Sequence, residues 1–119
     1  MLIHLTKETF LERIFNYEEG TEWNFKGEKP CLIDFYADWC GPCRMVSPIL
    51  EELAEDFKEQ LDIYKVDTEE ETELASVFGI RSIPSILFIP VIGNPRIALG
   101  ALPKEVFLQA FSEVLGVEK

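Results

Sequence analysis

Cys40 and Cys43, two thiols at i and i+3, are the residues of this chain most capable of chemistry. They stand in Trp39-Cys40-Gly41-Pro42-Cys43, ahead of a segment in which Val46, Ile49, Leu50, Leu53, Ala54 and Phe57 recur at amphipathic-helix spacing. That places Cys40 at a helix N-terminus, where unpaired N–H groups and the helix dipole favour negative charge. A thiol there ionises more readily, and the thiolate is the form that attacks a disulfide. With Pro42 and Cys43 in the first turn, the i, i+3 spacing puts both sulfurs on one side, able to bond to each other. Gly41 leaves the approach to Cys40 open, and Pro42 fixes φ where the missing N–H would have had no partner. The chemistry is thiol–disulfide exchange. C-x-x-C is also half of a zinc site, but a closed site needs four ligands. Cys31 and His4 are the only other Cys or His, and neither has ligand-pair spacing, so the count weighs against a metal.

Such a pair needs a strand before it and a helix after it. Residues 31–37 form an apolar run broken only by Asp34, which predicts a buried strand with one polar intrusion. The helix follows over 44–57, with Pro48 expected to kink it. Before the strand, residues 2–5 suit a short edge strand, and Thr6 offers an N-cap to a helix carrying Phe10, Leu11, Ile14 and Phe15. Residues 17–30, with Gly20, Gly27, Trp23 and several charges, read as a loop. Residues 61–66 are a second interior strand, and 68–78 an acidic helix with Leu74, Ala75, Val77 and Phe78 inward, ended by Gly79. Residues 85–89 and 96–99, joined through Gly93-Asn94-Pro95, predict a hairpin. A last helix starts near Pro103 and buries Phe107, Ala110, Phe111, Val114 and Leu115. Strands alternating with helices, then a hairpin and a helix, define an α/β sandwich with a mixed central sheet.

Length and composition narrow the function. At 119 residues the chain is one domain, spanning 1–119. A hydrophobic share of 47% supplies one core and argues against disorder. The net charge of −11 repels nucleic acid and anionic membrane surfaces. Three cysteines are too few for the disulfide framework of a small secreted domain and fit a reducing compartment. The start of the chain has neither a basic region nor an apolar run of signal-peptide length. The expected location is the cytoplasm, or the periplasm if a leader has been removed.

The motif resembles the active site of the thioredoxin family, bacterial type, and the likeness extends along nearly the whole chain. Ile3-His4-Leu5-Thr6 with Phe10 resembles the family's N-terminal segment. Asp34-Phe35-Tyr36-Ala37-Asp38 is similar to the strand leading into the motif, and Gly79-Ile80-Arg81-Ser82-Ile83-Pro84-Ser85 to the segment holding the cis-proline. Gly100-Ala101-Leu102 matches the loop facing the active site, and residues 17–29 are an insertion. The resemblance implies a thioredoxin fold, a mixed central β-sheet with helices on both faces. It implies an exposed nucleophile at Cys40, a buried resolving thiol at Cys43 and a buried proton-relaying carboxylate at Asp34. A groove of Trp39, Gly41, Pro42, Ile83, Pro84, Gly100 and Ala101 would take the substrate, with Pro84 cis and the Ile83 backbone pairing with an extended segment.

The same resemblance implies disulfide-containing proteins as substrates, thioredoxin reductase as electron donor, no cofactor, and a monomer. Gly41-Pro42 favours a reductase over the oxidases and isomerases of the wider superfamily, which tend to carry a histidine between the cysteines. An exported disulfide reductase or isomerase, and a scaffold subunit with incidental redox activity, are the competing readings. Two positions depart from the pattern. Tyr36 stands where many bacterial members have tryptophan, and Ile63, counted back from Asp67, falls where a lysine often pairs with the buried aspartate. Lys65, two residues on, points to the same sheet face. Cys31 reads as a small apolar filler, with a regulatory thiol as the alternative.

Overall fold

The computed structural model describes residues 2–118. In chain order the elements are β1 (Ile3–His4), α1 (Lys7–Arg13), β2 (Cys31–Tyr36), α2 (Gly41–Asp56), β3 (Asp62–Asp67), α3 (Thr72–Val77), β4 (Ser85–Ile89), β5 (Arg96–Leu99) and α4 (Lys104–Ala110). A π-helical turn over Phe111–Leu115 continues α4. The strands form one sheet in the order β1-β3-β2-β4-β5. β1 and β2 run parallel to β3, β4 runs antiparallel to β2, and β5 completes an antiparallel hairpin with β4. This is the expected mixed sheet.

Strand alternation assigns the two faces. Cys31, Ile33 and Phe35 of β2 join Tyr64, Val66, Leu87 and Ile89 in a core beneath α1 and α3. Leu32 turns the other way, with Ile63, Ile86 and Phe88, against Val46, Leu50 and Leu53 of α2 and Phe107 and Phe111 of the last helix. Asp34 and Tyr36, at i+2 and i+4 from Leu32, therefore share the α2 face. The sheet pairs Asp34 with Lys65 and Leu32 with Ile63. Lys65, not Ile63, is thus the residue beside the buried aspartate, which corrects the expectation drawn by counting back from Asp67.

Thr6 caps α1 through a reciprocal pair of bonds with Thr9, as its position predicts. α2 runs continuously through Pro48, whose ring lies on the exposed side. The acidic helix is shorter than the expected 68–78. Thr68 is held by Tyr36 O through both its backbone N–H (2.9 Å) and its hydroxyl (3.0 Å), and Glu69 N–H donates to Asp67 Oδ1 at 2.9 Å. These bonds compete with helix and hold a turn until α3 begins. Only Leu74 of its expected apolar face is fully buried, and Val77 is exposed. Gly79, at φ +63°, ends the segment. The insertion is packed rather than free: Tyr17, Trp23 and Phe25, with Phe15 just before them, lie against the α1/α3 core. Lys7 Nζ ties it down by pairing with Glu18 (3.1 Å) and with Glu73 of α3 (3.0 Å).

Candidate functional site

β2 ends at Tyr36, and a turn through Asp38 and Trp39 delivers Cys40 as the N-cap of α2, with Pro42 in the first turn. Cys40 and Cys43 are joined as a disulfide with their Cα atoms 5.3 Å apart. Cys43 N–H donates to Cys40 Sγ at 3.2 Å, so a helix-terminal amide that would otherwise be unpaired points at the sulfur. That contact stabilises negative charge on Cys40 when the bond is reduced. The Arg44 guanidinium donates to Asp38 O at 2.8 Å and fixes the turn against the helix.

The resemblance implied an exposed Cys40 and a buried Cys43. In the disulfide both are buried, at 3% and 4% exposure, so accessibility does not separate them. The cause is packing: the two cysteines form a small cluster with Ala37, Tyr36 and Ile83. The thiols differ in what they face. Cys40 Sγ lies 3.8 Å from the Ile83 carbonyl oxygen, and Trp39, Gly41 and Pro42 around it are exposed. Cys43 instead lines a pocket of about 140 Å³ with Asp34, Tyr36, Ala37, Asp38, Arg44, Ser47 and Lys65.

Asp34 is 3% exposed, and its Oδ1 has no hydrogen-bond partner among the described residues. Burial raises its carboxyl to about 7, against the opposing pull of the Lys65 charge. Such a group can take and return a proton near neutrality. Lys65 Nζ lies over the Tyr36 ring, 4.7 Å from its centroid.

The Ile83–Pro84 peptide is cis, as the resemblance implies. Ile83 is half-buried against the cysteines, while Pro84 is buried and its carbonyl accepts the Gly100 N–H at 2.9 Å. Gly100 has φ +93°, a conformation that favours glycine, and Ala101 beyond it is exposed. Trp39 is 68% exposed and its indole N–H donates to Glu69 at 2.8 Å, so it is a surface ring held by one bond. Glu69, Ser47 and Arg44 belong to this neighbourhood and carried no sequence signal of their own. Tyr36 had one: its i+2 spacing from Asp34 puts both on a single face. Cys31 is a free thiol, 1% exposed, on the opposite face of β2 from Asp34 and remote from this chemistry. Burial raises its pKa far above the usual thiol value, so it stays protonated.

A dithiol at a helix N-terminus, beside a cis-proline loop on a mixed five-stranded sheet, defines a thiol–disulfide oxidoreductase. The thioredoxin family model matches residues 2–113, and the chain belongs to the thioredoxin family. The thioredoxin of Borreliella burgdorferi is 45% identical over 98% of this chain and 99% of its own length. That of Chlorobaculum thiosulfatiphilum is 39% identical over 84% of this chain and 97% of its own length. A chloroplastic M-type thioredoxin of Pisum sativum is 38% identical over 87% of this chain and 60% of its own length. A crystal structure of chloroplastic thioredoxin z superposes with a TM-score of 0.79, covering 94% of this chain and 92% of that one. At 23% identity that last likeness concerns the fold alone.

Proposed function

We propose that this protein reduces disulfides in other proteins, with Cys40 attacking, Cys43 resolving and Asp34 handling the proton. The observation that carries the assignment is the division of surroundings: Cys40 at the helix cap among exposed residues, Cys43 on the pocket it shares with Asp34. The Cys40 thiolate attacks one substrate sulfur, forming a mixed disulfide and releasing the other sulfur as a thiolate that takes a proton from water. Cys43 passes its proton to Asp34 and attacks Cys40 Sγ. The mixed disulfide breaks, the Cys40–Cys43 bond forms, and the second substrate sulfur leaves as a thiolate. Two electrons pass from the dithiol to the substrate. Trp39, Gly41, Pro42, Ile83, Pro84, Gly100 and Ala101 form the surface on which an extended substrate segment lies, with the Ile83 backbone available for strand-like pairing.

Thioredoxin reductase returns the two electrons, and the protein works as a monomer in a reducing, cytoplasmic environment. The small cysteine count and the burial of the one unpaired thiol support that setting. Among the described residues no helix is long and apolar enough to cross a membrane. The test is reduction of insulin-type disulfides with NADPH and thioredoxin reductase as electron source. Turnover that vanishes in Cys40→Ser and Cys43→Ser is the expected result; wild type without turnover would overturn the reading.

A further inference from the structure

The Lys65 ammonium is the cation that acts on the buried Asp34 carboxyl, whose Oδ1 lacks a partner among the described residues, yet it forms no ion pair with it. The β2–β3 register sets Lys65 directly beside Asp34, and both line the pocket with Cys43. Asp34 Oδ1 remains without a hydrogen bond, while Lys65 Nζ rests over the Tyr36 ring at 4.7 Å from its centroid. An aromatic face attracts an ammonium through its quadrupole, the more strongly the less water reaches the pair. Tyr36 is two residues beyond Asp34 on the same face of β2, so one lysine side chain has two competing docking points.

We propose that Tyr36 is a positioning residue which, by holding the Lys65 ammonium over its ring, keeps that charge off Asp34 and leaves the carboxyl free to take up and release the Cys43 proton. This rests on the assignment of Asp34 to the proton step. The charged and titratable groups around Asp34 are Lys65 from β3, Cys43 and Arg44 from α2, Tyr36 on its own strand, and Asp38 in the turn. β4 contributes the apolar Ile86 opposite it. The Arg44 guanidinium is drawn away to Asp38 O, and Lys65 is the charge that acts on the Asp34 carboxyl. An ammonium moved onto Asp34 would favour the carboxylate and make it a weaker base. Burial and nearby carboxylates raise the Tyr36 phenol to about 12, so the ring facing Lys65 is neutral across the working range.

The experiment follows the Asp34 carboxyl directly, by carbon NMR of aspartate-labelled oxidised protein over a pH titration. Tyr36→Leu, Tyr36→Phe, Lys65→Met and the Tyr36→Leu/Lys65→Met double variant are compared with wild type. Tyr36→Leu should lower the Asp34 midpoint by about one pH unit, the size expected when an opposite charge moves into contact. Tyr36→Phe, which keeps the aromatic face, should restore the wild-type midpoint. In the Lys65→Met background, Tyr36→Leu should have no further effect. A midpoint unmoved by Tyr36→Leu, or moved equally without Lys65, would overturn the proposal. Tyr36→Met replaces Tyr36→Leu if the latter does not fold. The titration reads the carboxyl whether or not Asp34 takes part in turnover, while insulin reduction with Asp34→Asn reads that part separately.

Discussion

Asp34 and Cys43 open onto one pocket from two different elements, the middle of β2 and the first turn of α2. Cys40, bonded to Cys43, points instead toward the Ile83 carbonyl oxygen. A disulfide exchange has two attacking steps with opposite needs. The first wants a thiolate beside the substrate; the second wants a thiol that loses its proton only when the mixed disulfide is in place. Near-equal burial of the two sulfurs does not order them, and the proposed order rests on the carboxyl that lies on the Cys43 side.

Cys43→Ser should leave Cys40 able to attack with nothing to release the substrate. Mixed disulfides should then accumulate and appear as adducts on non-reducing gels. Cys40→Ser should form none. Turnover in either variant should fall by a factor on the order of 10³ or more, since the two thiols act as a unit. Adducts with Cys40→Ser alone would reverse the assignment. Full function in the double serine variant would instead point to a scaffold.

Asp34→Asn should slow the resolving step roughly 10- to 100-fold, at or below the low end of the usual general-base contribution. It should also alter stability in a pH-dependent way. The carboxyl is raised from 3.8 to about 7 by burial, so the folded state holds its proton more tightly than the unfolded chain. The stabilisation from that proton is complete below about pH 4 and is lost as pH rises through about 7. Asn carries no such penalty. The variant should therefore match wild type in acid and exceed it near pH 8.5 by something on the order of 4 kcal/mol at most. Urea unfolding at both pH values measures the difference, and a gap that stays constant would show that Asp34 is not buried as a neutral acid.

Gly100→Ala tests the loop bonded to the cis-proline segment. A Cβ there would meet nothing within 4 Å, so the cost is conformational, arising from φ +93°. A loss of about 1–2 kcal/mol is expected. Because Gly100 N–H holds Pro84 O at 2.9 Å, a rearranged loop should also raise KM for a protein substrate more than it lowers kcat. Chemical denaturation and steady-state reduction separate the two effects, and an unchanged KM would detach this loop from substrate binding.

Trp23 in the insertion packs on Phe15 with ring centroids 5.1 Å apart, against the α1/α3 core. Trp23→Ala should cost about 2 kcal/mol, below the range for a fully buried aromatic because the ring is only partly covered. Specific activity of the folded variant should be unchanged, since Trp23 packs with the core on the opposite sheet face from α2. A lower activity with unaltered stability would make the insertion a partner surface instead.

Most elements and the cysteine pair are legible along the chain, because both are local properties. Helical spacing from Val46 to Phe57 predicts α2, the apolar run around Asp34 predicts β2, and the C-x-x-C pair at their junction needs no distant residue to declare its chemistry. The resemblance added the cis-proline segment and the Gly100 loop. Tertiary structure decided the rest through sheet register and packing. Counting along the chain placed Ile63 at the position beside Asp34, whereas hydrogen-bond register puts Lys65 there. The acidic helix starts at Thr72 because Thr68 and Glu69 bond to β2 and β3 in a turn, and only the folded sheet brings Tyr36 O within reach. The Lys65 ammonium over Tyr36 was illegible for the same reason: two side chains on neighbouring strands meet only after those strands pair, and periodicity within one strand carries no information about the next.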